Sequence, residues 1–428
     1  MTAAHTSQGP ERARSGVRTA TSVRLQRGSG WVLYPICSLA IFLPLCWRIY
    51  WPAADGLDVT GHQIGRDFIN VWAGPQLAFG GRLDALLDLQ GYHAAIGELF
   101  GHPLPFHNWG YPLFTLPAFW PLAELPYFVA LAMWTFGLFA IFAGVVLSQI
   151  ERSERPWTLL VLMLAPACLI NAVGGQNGFV SAALLLGGVL WLDRRPTAAG
   201  VLFGLLAFKP HLGLVLPFAL LALGAWRTIA AAAATVMLLV GGSIALFGIE
   251  PWHRYFEVTG AYQVLLLEKF HGFYTTMMAS VFAGARTFGL PYEAAMTIQI
   301  ALAVPVLIAA CLAVRRTTDP CRRALVLASA APLLTPYAFN YDLTALSAAL
   351  VWMLAGRLSW PAAWRPLAFL AYISPVAMMP LQAQGVGLMP PVLAAVFLVS
   401  LHEAGLGRGR RAQAPQVAPL RNRQEAAA

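Results

Sequence analysis

The sequence predicts an all-α protein, a polytopic integral membrane bundle of about 10–12 transmembrane helices with interfacial helices in its external loops. Three observations carry that prediction. Of 428 residues, 58% are hydrophobic and only 11% are Asp, Glu, Lys or Arg, against roughly 25% charged in an ordinary soluble domain. Several apolar runs approach the roughly 20 residues that a helix needs to cross a hydrocarbon core, and they are continuous, without the alternation of a membrane β-strand. The basic residues gather in the two tails and the short connections, which is the asymmetry that orients membrane helices. The net charge of +9 is therefore read as topology, and no nucleic-acid partner is expected.

Residues 1–30, with Arg12, Arg14, Arg18, Arg24 and Arg27, are read as a disordered, basic, cytoplasmic tail. The first apolar run is too long for a cleavable signal peptide and lacks a small-residue cleavage site. It is "WVLYPICSLAIFLPLCWRIYW", residues 31–51, and it leads outward to a long external loop, 52–124. That loop holds "GHQIGRDFINVWAGPQLAFGG" and amphipathic material suited to a helix on the lipid surface. The run 125–150 returns to "ERSER"; 157–173 exits to "GGQNG"; 178–192 comes back to "DRRP". Two short pieces, 197–208 and 212–224, flank "KPH" and read as a broken pair. The run 228–248 leads to a second external loop, 249–290, rich in aromatic and charged residues. Runs at 292–314, 322–338, 343–355, 362–380 and 386–403 complete about twelve crossings. Every Arg-rich turn then falls on one side, and 404–428 forms a second basic, disordered cytoplasmic tail. Residues 31–403 are thus one transmembrane domain. The five cysteines show no metal-ligand spacing and are assigned to packing.

The remaining polar features, Asp67, "HNWGYP", "GGQNG", "KPH", "EKFHG" and "FNYD", are scattered along the chain but converge on the external side of this topology. Ionisable groups at membrane depth are costly and face a cavity or a partner, so their convergence predicts a site.

The order of these motifs resembles glycosyltransferase family 87. An external "RDF" precedes "YPLFTLPAFWPLAELP", then "GGQNGFVSAALLLGGVLWLDRRPTAAGVLFGLLAFKPHLGLVLP", then "FNYDL". The resemblance covers about residues 31–403, and its most specific part is the "GQN … AG … KP" block. It implies an integral-membrane enzyme of the GT-C fold, similar to the polyprenyl-phosphate-mannose-dependent α-mannosyltransferases that build phosphatidylinositol mannosides. Such an enzyme takes a hexose, here most simply mannose, from a polyprenyl-phosphate sugar and transfers it to a lipid or glycan acceptor on the non-cytoplasmic face. The resemblance places the family's external aspartate at Asp67 and its lysine at Lys209. The chain departs from the family pattern at Leu113, where a second proline often follows Tyr111–Pro112, and at Val71–Trp72, where many relatives carry an aromatic pair. Both departures bear on the acceptor.

Transfer from a lipid phosphate needs a base for the acceptor hydroxyl and donors that stabilise the leaving phosphate. Asp67 is the candidate base, and the competing reading makes it the N-cap of a helix starting near Phe68. Lys209 and His211, at a helix break beside exposed N-terminal amides, are candidate phosphate ligands, with Arg66 beside Asp67 as a third. Lys209 could instead snorkel to lipid headgroups, and Arg66 could hold the loop or neutralise Asp67. Asn70, Gln176, Asn177, Tyr341 and Asp342 are candidate sugar or acceptor ligands. Against that, "GGQNG" may be read as an ordinary glycine-rich turn, and Asp342 as a helix cap.

No nucleotide-phosphate loop, zinc-protease motif or serine elbow is present. No metal site or cofactor is assigned beyond the lipid-linked donor, although Asp55, Asp58 and Asp67 share a loop and leave a divalent metal open. The rival reading is a secondary transporter or flippase-like protein, which would also have broken helices and buried polar groups. It would call for repeated halves, and no repeat is evident. Membrane lipids are the remaining partners, and the expected location is the bacterial inner (cytoplasmic) membrane, with the active site on the periplasmic side.

Overall fold

A computed structural model describes residues 29–358 and 361–406. The two tails read as disordered lie, except for their innermost residues, outside this range. Among the described residues the fold is all helical, and β-pairing is limited to three isolated bridges.

Four helices are long and apolar enough to cross a membrane: Tyr127–Leu147, Trp226–Phe247, Tyr292–Arg316 and Ala362–Ala383. A fifth span exists if Arg152–Met163 and Pro166–Gly174, bent by 59°, count as one. Shorter apolar helices, Leu33–Ile49, Gly178–Trp191, Pro196–Phe208 and Met389–Glu403, complete the bundle. The sequence reading counted nearly every apolar run as a crossing. The difference is one of length, because at about 1.5 Å per residue a helix of 14 residues reaches only about 21 Å.

Prolines set the breaks. Pro166 opens the second half of the bent pair, and Ala165 before it is extended (φ −64°, ψ 134°), as the residue ahead of a proline prefers. Pro210 does the same to Lys209 (φ −133°, ψ 70°), which ends the helical stretch after Phe208. The chain resumes as a helix at Val215–Leu223.

The two ends of the bundle are chemically distinct. At one end Asp193 accepts two hydrogen bonds from Arg323 (2.9 and 2.7 Å). Nearby in sequence, Asp319 accepts from the Arg322 amide and pairs with Arg357 at 3.0 Å. The Arg322 side chain reaches the carbonyl of Glu403. The turns at Asp193, 319–323 and Arg357 and the end of the last helix therefore share one end. Helices Gly178–Trp191 and Pro196–Phe208 run from these turns to the opposite end, where "GGQNG", "KPH" and "FNYD" meet.

That opposite end is capped by a second apolar core. Its central helix, Phe68–Phe79, buries Phe68, Ile69, Val71, Ala73 and Leu77 and packs on Thr115–Ala123. Gly74 lies flat against the Trp109 ring, where a Cβ would come within 2.1 Å. Part of the segment expected on the lipid surface is therefore interior. Leu138 and Phe208 pack against both this core and that of the bundle, so Lys209, next to Phe208, lies at the seam.

One buried amide inside the bundle is matched on both sides. The Gln299 amide donates to the Leu333 carbonyl (2.8 Å), and its oxygen accepts from the Phe282 amide (2.9 Å). Gln299→Leu should leave both backbone groups without partners, at about 1–3 kcal/mol each. A clearly lowered melting temperature, read by size-exclusion chromatography after heating, is the expected result; an unchanged one would show that the two groups find other partners.

Candidate active site

The site is built from three short breaks between helices, held together by backbone contacts that only glycine permits. Gly175 has φ +58°, and a Cβ there would lie 2.2 Å from the Gly65 carbonyl. A Cβ on Gly178 would lie 2.3 Å from the Tyr341 carbonyl. The "GGQNG" turn is thus pressed against the Asp67 loop on one side and the 3-10 turn Asn340–Leu343 on the other. Two side chains secure it. Asn171 accepts from the Gly178 amide (2.7 Å) and donates to the Tyr341 carbonyl (3.0 Å) and to Thr344 (2.7 Å). Trp134 donates to the carbonyls of Gly175 and Gln176 (3.1 and 3.2 Å). Trp134 sits in a π-helical turn, Met133–Gly137, and such widened turns re-aim side chains at functional positions. Neither Trp134 nor Asn171 was singled out in the sequence, since a Trp or Asn inside an apolar run carries no periodic or motif signal.

The Lys209 ammonium is buried, with its side chain 8% exposed, and is bonded to Asp342 Oδ1. It also donates to Asn177 Oδ1 at 2.7 Å and lies 4.5 Å from the centroid of the Tyr341 ring. Its three donor directions thus face an anion, an amide oxygen and a π-face. The other oxygen of Asp342 accepts from the Phe339 amide (3.0 Å), so this aspartate both caps its own 3-10 turn and neutralises the lysine. His211 Nε2 stands 3.8 Å from that same oxygen, with no hydrogen-bond partner. Asn177 Nδ2 donates to the Tyr111 hydroxyl at 2.9 Å.

Arg66 turns away from this cluster. Its Nε donates to Asp58 (2.9 Å), and its Nη2 to the Ile49 carbonyl (2.6 Å) and to Thr60 (2.9 Å). The Tyr50 ring covers the guanidinium, with its centroid 4.4 Å away. Arg66 has φ +35°, a conformation that costs a non-glycine residue of order 1–3 kcal/mol and needs such anchoring. The loop-holding role is the one the geometry displays, and the proposed place of Arg66 at the donor phosphate is not carried forward.

Asp67 precedes the helix Phe68–Phe79 but makes no side-chain cap to it. Its carboxylate instead accepts from the Gln176 amide. Because Arg66 is taken by Asp58 and Lys209 by Asp342, Asp67 has no ion-pair partner among the described residues. It is partly exposed, as are Asn70, Tyr111, Tyr341 and His211, whereas Gln176, Asn177, Lys209 and Asp342 are buried behind them. Asn70 accepts from Tyr92 at 2.5 Å. The predicted residues Asp67, Gln176, Asn177, Lys209, His211, Tyr341 and Asp342 are therefore brought into one connected patch. Asn70 stands one helical turn from Asp67. Among the described residues no group of three or more His, Cys, Asp or Glu is placed to hold a metal ion.

An apolar groove of 290 Å³ lies elsewhere, between the helices Val215–Leu223 and Tyr292–Arg316, and none of these residues lines it.

Lys209→Met should leave the Asp342 carboxylate buried without its cation, at a cost of about 3–5 kcal/mol. Removing both charges in Lys209→Met/Asp342→Asn should recover much of that loss. Melting temperatures of the two variants check this: a double variant no more stable than the single one would show that the pair is not what holds the breaks together.

No curated protein and no solved structure matches the chain. The model of glycosyltransferase family 87 matches residues 109–336, which run from Trp109 through the "GGQNG" and "KPH" breaks. With apolar helices long enough to span a membrane and this match over more than half its length, the chain belongs to glycosyltransferase family 87 and is a membrane glycosyltransferase, not a transporter.

Proposed function

We propose that this glycosyltransferase moves a hexose, most simply mannose, from a polyprenyl-phosphate sugar to a hydroxyl of a lipid or glycan acceptor. The reaction takes place on the periplasmic side of a bacterial inner membrane, in a GT-C-type arrangement. The observation that carries the reading is the unpaired Asp67 carboxylate at the rim of a patch whose other charges are internally matched.

A base must be ionised, reachable and free of a competing cation. Asp67 meets the last two conditions where Asp58 and Asp342 do not. In the transfer the acceptor O–H proton passes to Asp67, the acceptor oxygen bonds to the anomeric carbon, and the bond from that carbon to the phosphate oxygen breaks. Polyprenyl phosphate departs with the electron pair. Gln176 holds the carboxylate in place through its amide. Lys209 supplies positive charge on the phosphate side from within the protein, and His211, whose Nε2 makes no hydrogen bond and stands 3.8 Å from Asp342, is positioned beside it. Tyr341 and Asn70 stand at the rim, where sugar hydroxyls pass. The lipid phosphate is itself the leaving group.

Asp67→Asn keeps an oxygen that accepts from Gln176 but is no longer a base. Purified protein in vesicles, given polyprenyl phosphate carrying a radiolabelled hexose, should transfer label. The Asn variant should lose about 10²–10⁴-fold in turnover with a near-normal melting temperature. Retained turnover would remove Asp67 from the role, and label transferred only from a nucleotide sugar would remove the lipid donor.

A further inference from the structure

The way Asn177 is wedged between Lys209 and Tyr111 determines the direction of every hydrogen bond in that row. An ammonium has protons and no acceptor, so the Asn177 oxygen must face Lys209 (2.7 Å). The amide nitrogen then necessarily faces Tyr111 (2.9 Å), and a carboxamide nitrogen can only donate. The phenol oxygen is therefore an acceptor in this contact, and its own proton has no partner among the described residues. The ring is held edge-on by Trp109 and Phe119, with centroids 5.5 and 5.6 Å away, so the hydroxyl is fixed in place and only its proton is unassigned.

We propose that the Tyr111 hydroxyl donates a hydrogen bond to a phosphate oxygen of the lipid-linked sugar donor, and that Lys209 acts on that phosphate through Asn177 and Tyr111. This rests on the lipid-phosphate donor of the preceding section. Two of the three Lys209 donors are held by Asp342 and Asn177 and the third faces the Tyr341 ring, and Arg66 is occupied at Asp58. Tyr111 is partly exposed and is the donor this row leaves over. A phosphodiester oxygen carries no proton and only accepts, which matches the one unspent proton of the Tyr111 hydroxyl. The acceptor hydroxyl, which must give up a proton, matches Asp67, which only accepts. Burial and the nearby Asp67 charge raise the phenol well above its ordinary pKa, so the proton stays on the oxygen at neutral pH. As the phosphate gains charge on leaving, the bond from Tyr111 strengthens, the condition for lowering a barrier.

The test uses the full-length protein in vesicles with polyprenyl phosphomannose as donor, and binding of free polyprenyl monophosphate as a second readout. Tyr111→Phe should lower kcat/KM for the donor by about 10²-fold, the usual scale for one lost donor to a developing anion, and weaken monophosphate binding, with little change in melting temperature. Asn177→Asp supplies a readout that a packing role would not move. Its carboxylate can only accept, so it draws the Tyr111 proton toward itself and should cost nearly as much as Tyr111→Phe, with no further loss when the two are combined. Equal donor kinetics in wild type and Tyr111→Phe would overturn the assignment of Tyr111 while leaving the donor intact. If wild type transfers nothing from this donor, the donor reading falls, and monophosphate binding then decides Tyr111. Equal affinity in both proteins, or none in either, overturns it as well.

Discussion

The structure of the site depends on one buried cation. Lys209 sits at the seam between the helical bundle and the second apolar core, where an unpaired charge would be prohibitive. Its placement is tolerated because Asp342 and Asn177 arrive from two other helix breaks to receive its protons. The consequence is positional. Three segments far apart in sequence, around 177, 209 and 342, cannot drift relative to one another without stranding a charge in a region of low dielectric. Buried ion pairs are poor sources of net stability, but they penalise alternative packings heavily, and that is the property a site at the junction of two cores requires.

Around that cation the remaining charges are segregated. Arg66 is spent on Asp58 and on the end of the helix Leu33–Ile49, which stiffens the loop that carries Asp67. Gly65 and Gly175 let this loop and the "GGQNG" turn touch backbone to backbone. The touching backbones bring Gln176 to the Asp67 carboxylate. Asp67 is then the carboxylate that the matching leaves over, and it lies at the partly exposed edge. The broken helices supply irregular backbone only where protein surrounds it, as a membrane protein demands.

Much of this was legible in the chain. Composition and the length of the apolar runs predict an all-α membrane bundle. The "GGQNG", "KPH" and "FNYD" interruptions could be seen to share an end, because each apolar segment between them reverses direction once and the arginines mark the other end. Pro210 announces its helix break through the steric demand it places on the preceding residue, whereas the break at Pro166 falls inside a run, 157–173, that reads as one crossing. The number of full-length spans was less legible, since a run of 14 apolar residues looks alike whether it crosses a bilayer or ends halfway inside a protein. The buried helix Phe68–Phe79 was read in part as surface material, because Gly and Gln in its sequence suggest amphipathicity until Trp109 is seen lying on Gly74.

Local sequence, then, determines much of the secondary structure and the end of the bundle at which each break falls, because hydropathy, proline sterics and charge asymmetry act over a few residues or along a single segment. Which carboxylate meets which cation is decided only by the tertiary packing. Arg66 stands beside Asp67 in the chain yet pairs with Asp58, while Lys209 finds a partner 133 residues away. Electrostatic matching depends on distance in space and on burial, and adjacency in sequence specifies neither; the unpaired Asp67 and the unspent proton of Tyr111 are visible only after the chain has folded.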